Sequence, residues 1–282
     1  MNRNKLLIFI TAVLLLVSPA FARADRSRFL DAALSMLEEG NPFLVRYNSE
    51  NRADIQARFP LGCPYFWGGR RVSRILQPAS PEQNSDYYRK DRTYLYGLDC
   101  AGLTQWVMTQ VSLTKHDSIS NLLNRTKYKE YLNYQASKHT GKKRARYLKP
   151  GDLGALQHAD GSFHILMYIG TLVDFGYTKK TVPEELVPYL NYPLVIHCTE
   201  SSDYYERYRL WLEETRQAGI TPPCGGVIVS LLDVPPDAAP ASTPDVEGLG
   251  RPCFLLEGYH LETLDLSGEK RERWIRWRQH PE

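Results

Sequence analysis

"YGLDCAGLTQWV", residues 96–107, sets a cysteine between an aspartate and two small residues, at the head of an apolar helical pattern. Leu103, Trp106, Val107 and Val111 share one face at helical spacing, and Asp99 is a natural N-cap, so the pattern predicts a helix starting at Cys100. A thiol at that position meets unpaired backbone N–H groups and the positive end of the helix dipole, and both favour thiolate over thiol. A free cysteine titrates near ~8.5, and such settings lower this to ~3.5–7.5. Ala101 and Gly102 leave room for a carbonyl to approach, with first-turn N–H groups placed to receive an oxyanion. A cysteine that merely fills space needs none of this. Cys100 is therefore the candidate nucleophile.

Upstream of this stretch, Leu30, Ala33, Leu34 and Leu37 predict a helix over 27–39, with Ser27 as its cap and Gly40 as its stop. The Gly- and Pro-bounded "LGCPYFWGGR" (61–70) is not regular helix, and the polar 70–95 reads as an exposed excursion. Downstream, a helix is expected over 118–137, then "KKRAR" (142–146) as a solvated loop. Apolar runs on either side of Asp160-Gly161 predict a hairpin, and "PLVIHC" ending at Cys198 predicts a third strand. Residues 203–217 read as helix, and "GGVIVSLL" and "CFLLEGYHLETL" as strands, with a Pro- and Ala-rich linker between these strands. Helices first and strands after predict an α+β fold on an antiparallel sheet.

The N-terminus carries Arg3 and Lys5, then an almost wholly apolar run from Leu6 to Val17, then "SPAFARAD". This is the layout of a secretory signal peptide, with cleavage expected after Ala24. An apolar run of about a dozen residues falls short of the ~20 that span a bilayer, so no stable membrane insertion is expected after cleavage. The expected location is exported: periplasmic, extracellular or cell-wall associated. Without residues 1–24, the 35 basic residues fall by three, level with the 32 acidic ones. That balance gives no footprint for nucleic acid. Five cysteines in an exported chain are an odd number. If Cys63, Cys198, Cys224 and Cys253 pair among themselves, Cys100 is the one left free.

A nucleophilic thiol needs a base, and the base an orienting partner. Of seven histidines, His164 opens the strand "HILMYIG", and His197 stands in the apolar run "LVIHC", where a polar side chain needs a partner. Strand alternation puts His197 and Cys198 on opposite faces, which would turn Cys198 away from the site. The histidines lack zinc-ligand spacing and the cysteines a C-x-x-C pair, so neither a metal nor another cofactor is expected.

In chain order, "YFWGG" (65–69), "GLDCAGL" (97–103), "LKPGDL" (148–153) and "HILMYIG" (164–170) resemble the motifs of the NlpC-type cell-wall cysteine peptidases. The resemblance implies a papain-like α+β fold, with the nucleophile at a helix N-terminus packed on an antiparallel sheet. It implies Cys100 as nucleophile, His164 as base and His197 as the residue orienting it. Tyr65 and Asp99 would hold the free amine of a peptidoglycan stem peptide, and Trp67 and Ala101 complete the expected substrate contacts. The implied reaction is hydrolysis of the γ-D-glutamyl–diamino acid bond of stem peptides or muropeptides. The family commonly has serine where this chain has Ala101, which removes one hydroxyl contact to substrate. The expected organisation is a signal peptide (1–24), a peptidase domain (25–233) and a C-terminal segment (234–282) packed on it. Two rivals are an amidase or acyltransferase on the same scaffold and a non-catalytic peptidoglycan-binding protein.

Overall fold

The computed structural model describes residues 28–38, 40–51, 62–69, 92–111, 118–124, 126, 129–200, 209–234 and 261–276. The expected signal peptide, most of the excursion at 70–95, Cys253 and Trp277 lie outside them. Among the described residues no helix is long and apolar enough to cross a membrane.

Six strands form one sheet: β2 (Leu153–Gln157), β3 (Phe163–Gly170), β4 (Leu194–Glu200), β6 (Gly225–Leu232), β7 (Leu261–Leu264) and β8 (Arg271–Ile275). Their order is β7-β6-β4-β3-β2-β8, and β1 (Thr93–Tyr94) and β5 (Ile220–Thr221) form a separate parallel pair. The β2–β3 hairpin turns where Asp160-Gly161 predicts it, and Gly161 takes a φ of 90° there, a conformation glycine adopts without a Cβ penalty. The sheet is antiparallel except at one edge, where β7 runs parallel to β6. The long segment 235–260 separates these two strands, and a parallel pairing requires such a crossover.

Consecutive in sequence, β7 and β8 lie on opposite edges of the sheet, joined only by residues 265–270. A flat sheet of this width spans about 24 Å, and the link spends its length on turns, including a Glu269 N–H to Leu266 carbonyl bond. The sheet therefore curls, bringing its edges together. Its inner face gathers Leu156, Leu166, Tyr168, Val195, Leu232, Leu266 and Trp274 into one cluster. On the outer face, Ile165, Met167, Ile169, Ile196 and Cys198 join Leu103 and Val107 of α3 (Cys100–Gln110). Each such buried aliphatic contributes about 1.5–3 kcal/mol.

Two expectations are corrected. Residues 118–137 are not one helix but a short α4 (Ile119–Leu122) and two 3-10 turns (Lys129–Tyr131, Ala136–Lys138). "KKRAR" is not a solvated loop: α5 (Gly141–Ala145) buries Arg144 to 2 % exposure. There its guanidinium lies 3.2 Å from Asp233 and 2.9 Å from Glu272, over the Trp274 ring. The expected strand "CFLLEGYHLETL" forms over Leu261–Leu264, and its residues 253–260 lie outside the described ones. Elsewhere 28–34 is helical and runs into a 3-10 turn (Ser35–Leu37), and α6 (Arg209–Gln217) occupies the second half of the helix expected over 203–217.

Candidate active site

Cys100 is the first residue of α3 and half-buried, and Asp99 caps the helix by accepting a 2.5 Å bond from the Gly102 N–H. The other Asp99 carboxylate oxygen accepts the Gly68 N–H at 3.1 Å. One buried carboxylate thus ties the "YFWGG" turn to the start of the cysteine helix. Main-chain bonds complete the clamp: Phe66 N–H to Leu98 carbonyl (2.9 Å), Leu98 N–H to Pro64 carbonyl (3.0 Å) and Asp99 N–H to Gly69 carbonyl (3.1 Å). Three glycines permit so close an approach. A Cβ would fall 2.1 Å from the Pro64 oxygen at Gly97, 2.2 Å from the Gly97 oxygen at Gly69, and 1.8 Å from the Gly69 oxygen at Gly102. The two motifs interlock by backbone.

Tyr65 stands on the same clamp, its N–H bonded to the Gly225 carbonyl at the start of β6. Burial first, then the charges of Glu200, Cys100, Cys198 and Asp99, push its phenol well above the usual range. These groups therefore share one electrostatic neighbourhood. Trp67, at the tip of the turn, is 49 % exposed. Ala101, next to Cys100 in the chain, is buried.

The two histidines are joined directly: His164 Nε2 lies 2.8 Å from His197 Nδ1, with the rings edge-on. His197 Nε2 lies 2.8 Å from Ser230 Oγ on β6, which ends the chain in a hydroxyl. By strand alternation all three belong to the inner face. The β3–β4 ladder stops at Met167/Ile196, so His164 and His197 stand beyond its last rung, bridged by side chains. Burial holds His164 well below the usual histidine range, helped by the charges of His197 and His158, and burial alone pushes His197 down to about 3. Both imidazoles are neutral at neutral pH.

Alternation does separate His197 from Cys198, but Cys198 is not turned away from the nucleophile helix as expected. Its thiol donates to the Leu98 carbonyl at 3.1 Å, two residues before Cys100. Because α3 packs on β3 and β4 from outside, that contact brings the start of α3 to the sheet end that carries the two histidines. Cys63, Cys198 and Cys224 are not joined by disulfides, so none of the pairings considered among these three forms.

The structure adds residues that the sequence left unmarked. Ser230, a lone hydroxyl in "VIVSLL", carried a faint signal. His158, just before the Asp160-Gly161 turn, stacks on His164 with ring centroids 6.0 Å apart and binds Glu269 at 2.8 Å. These partners lie 111 residues apart in sequence, beyond any local pattern. No match to this chain is found among curated proteins or among solved structures. The segment from Gly62 to Glu184 matches a family model, that of the NlpC/P60 family, whose members are generally cysteine peptidases acting on peptidoglycan peptides. Capped cysteine helix, interlocked glycine turn and histidine strand all fall within residues 62–184, the part of this chain that is similar to the NlpC/P60 family.

Proposed function

We propose that the protein is an exported cysteine endopeptidase that hydrolyses peptidoglycan stem peptides at the γ-D-glutamyl–diamino acid bond, with Cys100, His164 and His197 as its catalytic residues. The observation that carries this reading is a thiol at a capped helix start on a sheet whose adjoining strands hold a hydrogen-bonded histidine pair. With its Nε2 engaged by His197, His164 takes the Cys100 proton at Nδ1. This fixes the tautomers: His164 Nε2–H donates to His197 Nδ1, and His197 Nε2–H to Ser230 Oγ.

The Cys100 sulfur attacks the scissile carbonyl as His164 accepts the thiol proton, and first-turn N–H groups of α3 receive the oxyanion. The tetrahedral intermediate collapses to a thioester, and His164 returns its proton to the departing amine. An imidazole that burial disfavours in its charged form yields this proton readily. Water, deprotonated by His164, then attacks the thioester and releases the γ-D-glutamyl carboxylate and the thiol.

Tyr65 and Asp99 face the amine of the stem. Each Asp99 oxygen accepts a backbone N–H, and the negative charge of the carboxylate would attract an ammonium. Trp67, exposed at the tip of its turn, lines the approach. The test is mass spectrometry of defined stem peptides, with and without glycan, incubated with mature protein and with Cys100→Ala. Cleavage after D-glutamate, lost in the variant, is expected. Failure to cleave any stem, with Cys100 readily alkylated, would move the assignment to another acyl-transfer substrate.

A further inference from the structure

Outside the Cys100–His164–His197 set, one polar pair touches it. His158, at the end of β2, lays its ring against His164 at an interplanar angle of 27°, with centroids 6.0 Å apart. On its far side, Nδ1 meets Glu269 Oε1 at 2.8 Å. Glu269 comes from the short link between the two edge strands, and the Lys270 N–H to Gln157 carbonyl bond (2.9 Å) fastens that link to β2. The Glu269 side chain is 9 % exposed, and its second oxygen is buried with no hydrogen-bond partner among the described residues. A carboxyl group so buried is costly unless it is hydrogen-bonded, and here His158 Nδ1 supplies that contact.

His164 has two edges to be fixed. The bond to His197 holds Nε2, but a single hydrogen bond leaves the ring free to swing about it. The His158 ring, lying nearly flat against His164, removes that freedom and fixes the direction of Nδ1, the atom that faces the thiol proton in the mechanism above.

We propose that His158, anchored by Glu269, is a positioning residue that sets the ring plane of His164 for proton exchange with Cys100. The inference rests on the peptidase reading, which pairs the Cys100 thiol with the His164 imidazole.

The test compares Cys100 alkylation by iodoacetamide in the wild type, His158→Ala/Glu269→Leu and His158→Phe/Glu269→Leu. Both variants lack the ion pair and the buried charge, and they differ only in keeping a flat ring over His164. The Ala variant is expected to alkylate about tenfold or more slowly, and the Phe variant within about twofold of wild type, since misplacement of a catalytic group on the ångström scale has effects of this order or larger. On a stem peptide the same contrast appears in kcat with KM unchanged. Equal alkylation rates in both variants would overturn the inference, whether at the wild-type rate or at an equally reduced one. A wild type that alkylates with these contrasts but cuts no stem would fail the peptidase reading and leave the positioning role standing.

Discussion

Gly102→Ala is the sharpest probe of the interlocked motifs, because helix propensity and tertiary geometry predict opposite signs. Position 102 lies in the first turn of α3, and alanine in place of glycine inside a helix stabilises by about 1 kcal/mol. Here the new methyl group falls 1.8 Å from the Gly69 carbonyl oxygen and 2.9 Å from its carbon, against a floor of 3.0 Å for real contacts. The obstacle is backbone, so the turn must retreat by about 1.2 Å. That retreat stretches the bonds from the Asp99 N–H to the Gly69 carbonyl and from the Gly68 N–H to the Asp99 carboxylate. Overpacking of this kind costs about 1–3 kcal/mol, and a weakened charge-assisted bond adds about 1.5–3. Set against the helix gain, the net loss is about 1.5–5 kcal/mol. Urea unfolding should show that loss, with Tm lower by roughly 3–20 °C. Stem-peptide cleavage should fall about 100-fold, because Tyr65 and Cys100 sit on the two sides of the displaced joint. A Gly102→Ala protein as stable and as active as wild type would refute the claim that backbone contact between the motifs builds the site.

Ser230→Ala leaves a buried His197 nitrogen unpaired and should cost about 1–3 kcal/mol, with a several-fold drop in kcat; unchanged unfolding and kinetics would remove Ser230 from the chain. His197 is held at about 3 in the folded protein against about 6.5 unfolded, so below pH ~6.5 the unfolded chain binds the extra proton and stability is lost as pH falls. The stability gap between wild type and His197→Gln should therefore narrow by about 1.4 kcal/mol per pH unit from pH ~6.5 downward, and a constant gap across that window would contradict the burial argument. Arg144→Met strands Asp233 and Glu272 under Trp274 and should destabilise by about 3–5 kcal/mol in urea unfolding; a loss below about 1 kcal/mol would mean that these carboxylates are not charged.

Local chemistry made much of this legible. The N-cap at Asp99, the period of Leu103, Trp106 and Val107, and the turn at Asp160-Gly161 each lie within a few residues, and each element forms where the sequence places it. His197 betrayed itself as a polar side chain in an apolar strand. What stayed hidden is non-local. Arg144 looked solvated because its partner Glu272 lies 128 residues away, and the edge pairing of β7 depends on a crossover that no periodicity reports. Alternation gave Cys198 its face correctly, but not which face the cysteine helix would cover.

The clasp formed by residues 261–276 has a temporal consequence. The helix bearing the thiol and the strands bearing the histidines are complete by Glu200, yet both edges of the sheet and the Glu269 anchor are made later. A nascent chain that has reached only Val234 holds Cys100, His164 and His197 with the sheet unsealed at both margins, and such edges template aggregation. On the proposed reading, the site is sealed only once residues 261–276 have followed it.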